Sequence, residues 1–245
     1  MAELTPMMQQ YMQIKEENKD CILFYRLGDF YEMFFDDALT ASRELEITLT
    51  GRDCGQEERA PMCGVPYHAC DIYLNKLIEK GYKVAICEQM EDPKLAKGIV
   101  KREVIRIVTP GTNMSQAILD ETRNNYLMCI FGCNDEYGVA VCDITTGEFR
   151  SCHISSTSKL YDEINKYSPT EIIGNGTFLS CDLNFDYMKE KMKITISEAP
   201  SHYFNDDTCE DFIKRQFKVG SIDGLGIDEQ EDMLLSAGAL LQYLH

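Results

Sequence analysis

After Thr5-Pro6, apolar residues recur at helical spacing: Met7, Met8, Tyr11 and Ile14 share one side of a helix expected to fade near Lys19-Asp20. A hydroxyl at the N-cap and proline just inside suit that start. CILFYRL (21–27) is a short continuous apolar run stopped by Gly28, the pattern of a buried strand. Asp36 or Asp37 can cap a second helix running to about Ile47, followed by a brief strand over 48–51. Residues 52–61 (RDCGQEERAP) are polar without a period and predict a loop. The helical period returns over 68–80 with Ile72, Leu74, Leu77 and Ile78, and Gly81 is placed to end it. YKVAICEQM (82–90) and the alternating VKREVIRIVTPGT (100–112) predict two further strands.

Beyond about residue 122 the period is mostly two. NYLMCIFG, a turn at Asn134-Asp135, YGVAVCDITTGEF and RSCHIS form a β-meander. A helix over 159–167 must stop at Ser168-Pro169, because the residue before proline disfavours the helical conformation. TEIIG and KITISE predict short strands. From Asp228 the chain has acids first and then MLLSAGALLQYL, a helix whose pattern runs to the last residue with no cap. We therefore expect a piece of a longer protein.

At roughly 150 residues per domain, 245 residues suggest one large or two ordinary domains. The patterning favours two: residues 1–113, a linker over 114–122, and residues 123–245. With 44% apolar and 27% charged residues the chain is globular, neither disordered nor fibrous. Net charge is −17 and unevenly spread. Residues 1–113 carry 14 basic and 19 acidic groups, residues 114–245 carry 10 and 22. Such acidity opposes non-specific binding to polyanions or anionic membranes by the chain as a whole, though not by a local basic strip.

The eleven cysteines form no Cys-x-x-Cys pair, and His68, His153 and His202 stand at no metal-ligand spacing from them. Cys21, Cys87, Cys129 and Cys142 lie inside apolar runs, where cysteine acts as a small hydrophobe. An odd number and no secretory signal predict free thiols in a reducing, cytoplasmic setting. No apolar stretch approaches the ~20 residues that cross a bilayer.

Catalytic templates come back empty: no G-x-x-x-x-G-K-[ST], G-x-G-x-x-G, G-x-S-x-G or H-E-x-x-H is present. Gly224-Leu225-Gly226 lacks the lysine of a phosphate loop and predicts a turn. Asp143, on a central strand of the meander, admits a metal-dependent nuclease of RNase-H-like type, or an aspartate that faces solvent or caps a turn. No spacing locates the further carboxylates a nuclease needs.

GDFYEMFFDDA (28–38) is less ordinary. In extended backbone, Phe30 and Glu32 project to one face and Tyr31 and Met33 to the other. An aromatic beside a carboxylate is an odd pair to bury, since an unpaired buried carboxylate is costly. The plainer alternative makes Phe24, Tyr31, Phe34 and Phe35 core and leaves Glu32 solvated. KLAKGIVKREVIR (94–106) sets Lys94, Lys97, Lys101, Arg102 and Arg106 against Glu103, +4 within an acidic chain. It is either a solvated face or a strip that tracks phosphates.

GDFYEMFFDDA, PMCGVPYHA (61–69), VAICEQMEDP (84–93) and VIRIVTPGT (104–112), in this order, closely resemble the N-terminal mismatch-recognition domain of the MutS family of bacterial DNA mismatch repair proteins. Residues 123–245 resemble the family's connector domain. The resemblance implies an α/β (α+β) mixed-sheet reader followed by a non-catalytic, RNase-H-like connector. It implies that Phe30 and Glu32 are a Phe-x-Glu pair that enters mispaired or unpaired sites from the minor groove, and that Leu27, Arg52 and Arg102 line the DNA. Lys97 joins them as a phosphate contact from the basic strip. It further implies mismatched double-stranded DNA and MutL as partners, a homodimer in the longer protein, and a DNA-dependent ATPase region, with ATP and Mg²⁺, outside this chain. This chain itself would be no enzyme, with no cofactor or metal. A family member whose first domain only scaffolds is a further alternative, and the intact Phe-x-Glu pair speaks against it.

Overall fold

The computed structural model describes residues 4–91, 96, 98–113, 124–227 and 230–245. The chain divides into two compact units, Met1–Ile118 and Leu119–His245. The linker expected over 114–122 lies outside the described residues, as does Asp228.

In the first unit, α1 (Pro6–Glu17) leads into β1 (Cys21–Leu27), β2 (Phe30–Phe34), α2 (Phe35–Leu45), β3 (Thr50–Arg52) and β4 (Ala60–Pro66). A 3-10 turn (Tyr67–Ala69), α3 (Cys70–Glu79), β5 (Lys83–Gln89) and β6 (Arg102–Val108) follow. The sheet order is β3-β4-β2-β1-β5-β6, mixed because β1 and β5 run parallel. Its alternating side chains build two cores. Ile22, Phe24, Tyr31, Met33, Val84 and Ile86 pack on α2 and α3, while Cys21, Leu23, Tyr25, Phe34, Ala85 and Cys87 pack on Met8 and Tyr11 of α1.

Local expectations are corrected in four places. Thr5 precedes α1 but its hydroxyl caps nothing; Pro6 supplies the start. Asp37 does not cap α2. It is buried in the first turn, accepting hydrogen bonds from the Leu23 amide (3.0 Å), the Tyr11 hydroxyl (3.1 Å) and the Lys15 ammonium (2.9 Å), so one carboxylate ties α1 and β1 to α2. Ile72 faces out, 62% exposed, while Leu74, Leu77 and Ile78 carry the contact of α3. Lastly, β4 begins at Ala60, inside the last two residues of the expected loop, and runs on through 62–66, where no element was expected. Pro61, Gly64 and Pro66 disguise it, because each weakens a strand in isolation.

The second unit opens with the meander β7 (Tyr126–Cys133), β8 (Glu136–Asp143) and β9 (Glu148–Ile154). Asn134 and Asp135 both take positive φ (50° and 61°), as a two-residue type I′ turn requires. Then come α4 (Thr157–Tyr167), β10 (Glu171–Gly174), α5 (Gly176–Leu179), α6 (Phe185–Glu190), β11 (Thr195–Glu198), α7 (Asp206–Phe217) and α8 (Glu231–Leu244). The order is β11-β10-β7-β8-β9, three antiparallel strands extended by two parallel ones. This is an α/β, RNase-H-like arrangement with α7 and α8 on one face and α4 to α6 on the other. α7 lies where no element was expected. Its signals were Asn205, whose side chain accepts from the Thr208 amide (3.1 Å), acids at 206 and 207, and Lys214-Arg215 in the last turn.

The cysteines inside apolar runs fill these cores: Cys21 and Cys87 beneath α1, Cys129 and Cys142 beneath α8. Burial pushes the thiols of Cys21 and Cys87 up to about 12, so they stay protonated and unreactive at neutral pH.

Candidate nucleic-acid interface

β1 and β2 form a tight hairpin, with Leu27 opposite Phe30 and only Gly28 and Asp29 between them. Gly28 takes φ +58°, a left-handed conformation that a β-carbon would strain. The tip is tied on three sides. Arg26 donates from Nε to the Gly28 carbonyl (2.6 Å), the Tyr67 amide donates to the Asp29 carbonyl (3.0 Å), and Arg102 donates from Nε to the Arg26 carbonyl (2.8 Å).

From this rigid end Phe30 projects 46% exposed, while Tyr31 and Met33, on the opposite face, are buried. The plainer alternative holds for Phe24, Tyr31 and Phe34, which are core; Phe35 is partly covered, and Phe30 lies outside that set. Glu32, on the same face as Phe30, is not merely solvated. Its side chain is 15% exposed and its Oε2 forms an ion pair with Arg52, which answers the cost of covering a carboxylate. Leu27 is partly covered, packed at the margin of the core beneath α1.

The hairpin's other face carries a cluster the sequence reading missed. The Arg26 guanidinium stacks 3.8 Å from the Tyr67 ring centroid and pairs with Glu88 at 3.3 Å, and the Tyr31 hydroxyl donates to the same Glu88 oxygen. Burial, and then Glu88, hold the Tyr31 phenol well above its usual range. Tyr67 and His68 of PMCGVPYHA meet edge to face. The only sequence signal for this cluster was the aromatic pair beside Pro66.

A family model for MutS domain I matches residues 5–117 and one for MutS domain II matches residues 125–245. The chain belongs to the MutS family. Over its whole length it is 59% identical to the DNA mismatch repair protein MutS of Lachnoclostridium phytofermentans and 56% identical to that of Acetivibrio thermocellus, covering 26% and 28% of those proteins. It is 53% identical to the MutS of Ruminiclostridium cellulolyticum. The chain spans about a quarter of the length of these curated relatives.

Against this MutS frame, Arg102 sits in an unexpected place. It is 8% exposed, with its guanidinium 4.8 Å from the Tyr25 ring centroid, and it donates to Gln10 Oε1 and to the Val100 carbonyl, each at 3.0 Å. Gln10 also accepts from the Tyr25 hydroxyl (2.5 Å). Arg102 thus joins β6, α1 and the hairpin and has little guanidinium left for phosphate. Lys94 and Lys97 lie outside the described residues. Arg106 and Lys101 are exposed, and Lys101 pairs with Glu103 at 2.6 Å.

Arg102→Glu should therefore lower the melting temperature by roughly 10 °C or more, because it sets a carboxylate among carbonyl acceptors and breaks a buried charged network. Arg106→Glu should leave melting unchanged and flatten the salt dependence of duplex binding by about one unit of slope. Thermal unfolding of both variants beside salt titrations checks this. Equal melting temperatures would return Arg102 to the surface.

In the MutS domain II unit, Asp143 is fully buried and caps its turn. Oδ1 accepts from the Thr145 amide (2.8 Å) and hydroxyl (2.6 Å), and Oδ2 from the Asn125 amide (3.3 Å). A carboxylate so occupied is no open metal ligand. Among the described residues no three His, Cys, Asp or Glu gather to hold a metal ion, and the nuclease alternative has no support. Among the described residues, too, no helix is long and apolar enough to cross a membrane.

Proposed function

We propose that the first unit reads mispaired or unpaired bases in double-stranded DNA by inserting Phe30 from the minor groove, with Glu32 bonding the edge of the base on which Phe30 stacks. The observation that carries this is the pairing of a half-exposed phenylalanine with a mostly covered, ion-paired carboxylate at the end of a rigid hairpin. Phe30, half exposed, is not placed for fold stability. A wedge must unstack one base step, at a few kcal/mol, and the cost is least where pairing is already broken. Discrimination then follows deformability rather than base identity.

The second unit, which carries most of the negative charge, serves as a connector between this reader and the rest of a longer DNA mismatch repair protein. By the family resemblance that protein is a homodimeric, DNA-dependent ATPase of the cytoplasm that holds ATP and Mg²⁺ outside this chain and engages MutL. Comparison of the longer protein's affinity for a duplex with one mispair against the same duplex fully matched tests the reading. A preference of at least roughly ten-fold for the mispair is expected, and equal affinities would sink it.

A further inference from the structure

Glu32 and Arg52 stand on strands that β4 separates, and they meet although nothing in their spacing announces it. Gly64, opposite Glu32 on β4, lies beside the glutamate stem: a β-carbon there would stand 3.5 Å from Glu32 Cγ, in ordinary contact, and 3.3 Å from the Tyr31 carbonyl oxygen. The pair is asymmetric. Glu32 is the covered member at 15% side-chain exposure, and Arg52 the outer one at 39%. Arg52 engages Oε2, and among the described residues Oε1 takes no hydrogen bond. The guanidinium therefore orients the carboxylate by one oxygen, leaves the other for an incoming donor, and cancels most of its charge toward anything that approaches.

We propose that Arg52 is the positioning residue for Glu32 and sets the specificity of the reader: the ion pair, not the glutamate alone, meets the DNA. This rests on the proposed wedge reading. A bare carboxylate beside the minor groove would repel phosphates of every duplex and would lack a fixed direction toward a base edge. Paired with Arg52, it is close to neutral at long range and keeps a directed acceptor at short range. Arg52 then adds little as an independent phosphate grip, since its charge is already spent on Glu32.

A double-mutant cycle in the longer protein separates these roles. Arg52→Met keeps the aliphatic stem and removes the charge; with Glu32 present it should lower the mispair-to-match affinity ratio by roughly ten-fold and weaken both duplexes. In a Glu32→Gln background the same Arg52→Met change should move the ratio by less than about two-fold, because the carboxylate to be neutralised is gone. Arg52→Lys, a strongly hydrated point charge on a flexible stem that fixes the carboxylate less firmly, should restore most of the overall affinity but only part of the ratio. The fluorescence of 2-aminopurine beside the mispair, which reports unstacking by Phe30, should persist in Arg52→Met, a response that mere local unfolding would abolish. Effects that multiply independently in the cycle, or loss of the fluorescence change, would overturn the role of Arg52 and leave the wedge standing. A wild-type protein with no preference for the mispair would overturn both.

Discussion

Phe30→Ala should erase the preference for mispaired over matched duplex and leave the fold untouched. Base–aromatic stacking is worth roughly 1–3 kcal/mol, which corresponds to about a five- to 150-fold loss in affinity for the mispaired duplex. Matched duplex, into which the wedge does not insert, should bind about as before. The fold is spared because Phe30 lies half exposed at the hairpin tip, opposite Leu27 and Pro66 in the ladder and outside the buried core. Surface truncations of this kind cost within about 0.5 kcal/mol. Glu32→Ala should act differently. It removes an acceptor but frees Arg52, so affinity for matched duplex should hold or rise while the ratio falls. Equilibrium binding and thermal unfolding of the two variants check both statements. A fall of roughly 10 °C for Phe30→Ala, as a core truncation gives, would show that the ring is buried and is no wedge.

Gly138→Ala is expected to be the most damaging small substitution in the second unit. Gly138 lies on β8 directly under the start of α8, and a β-carbon there would fall 1.8 Å from the Asp232 carbonyl oxygen and 2.1 Å from its carbon. Both are backbone atoms, so no rotamer change relieves the overlap, and the helix itself must move. α8 buries Leu235 through Leu241 between the sheet and α7, and Asp232 holds the His153 Nδ1 at 2.6 Å, so displacement opens a core and breaks that bond together. Losses above about 4 kcal/mol belong to this class of overpacking, with a drop in melting temperature of well over 10 °C for a unit of this size. Gly224→Ala is the control, since nothing lies within 4 Å of a β-carbon there. Circular-dichroism melting of both variants, with hydrogen exchange along α8, decides it. A Gly138→Ala melt within about 3 °C of wild type would mean that the helix slides at little cost.

Legibility followed the range of the forces involved. The helix after Pro6, the strand over 21–27, the Asn-Asp turn and the helix stopped by Ser168-Pro169 depend on periods and end signals within a few residues, and each stands within about three residues of where the pattern put it, whereas the second strand of the meander, expected through Phe149, ends at Asp143, where the Asp143 side chain turns the chain. β4 and α7 escaped, the first because two prolines and a glycine hide a strand that its neighbours hold in place, the second because its capping signals are polar and its apolar stripe is thin.

At the candidate site, the alternation of GDFYEMFF already put Phe30 and Glu32 on one face and Tyr31 and Met33 on the other, since that follows from the pleat alone. Four motifs in order already pointed to the family. What only the tertiary structure decided is which charges meet. Glu32 and Arg52 are paired across β4, Arg102 is drawn inward to the Arg26 carbonyl seventy-six residues away, and Asp143 is consumed by its own turn and the Asn125 amide. Sheet register and burial bring such partners together, and a one-residue slip of β4 against β2 would turn Glu32 toward a different neighbour. Apolar periodicity repeats along the chain and can be read from it, whereas the partner of a charge exists only once distant strands have been set side by side.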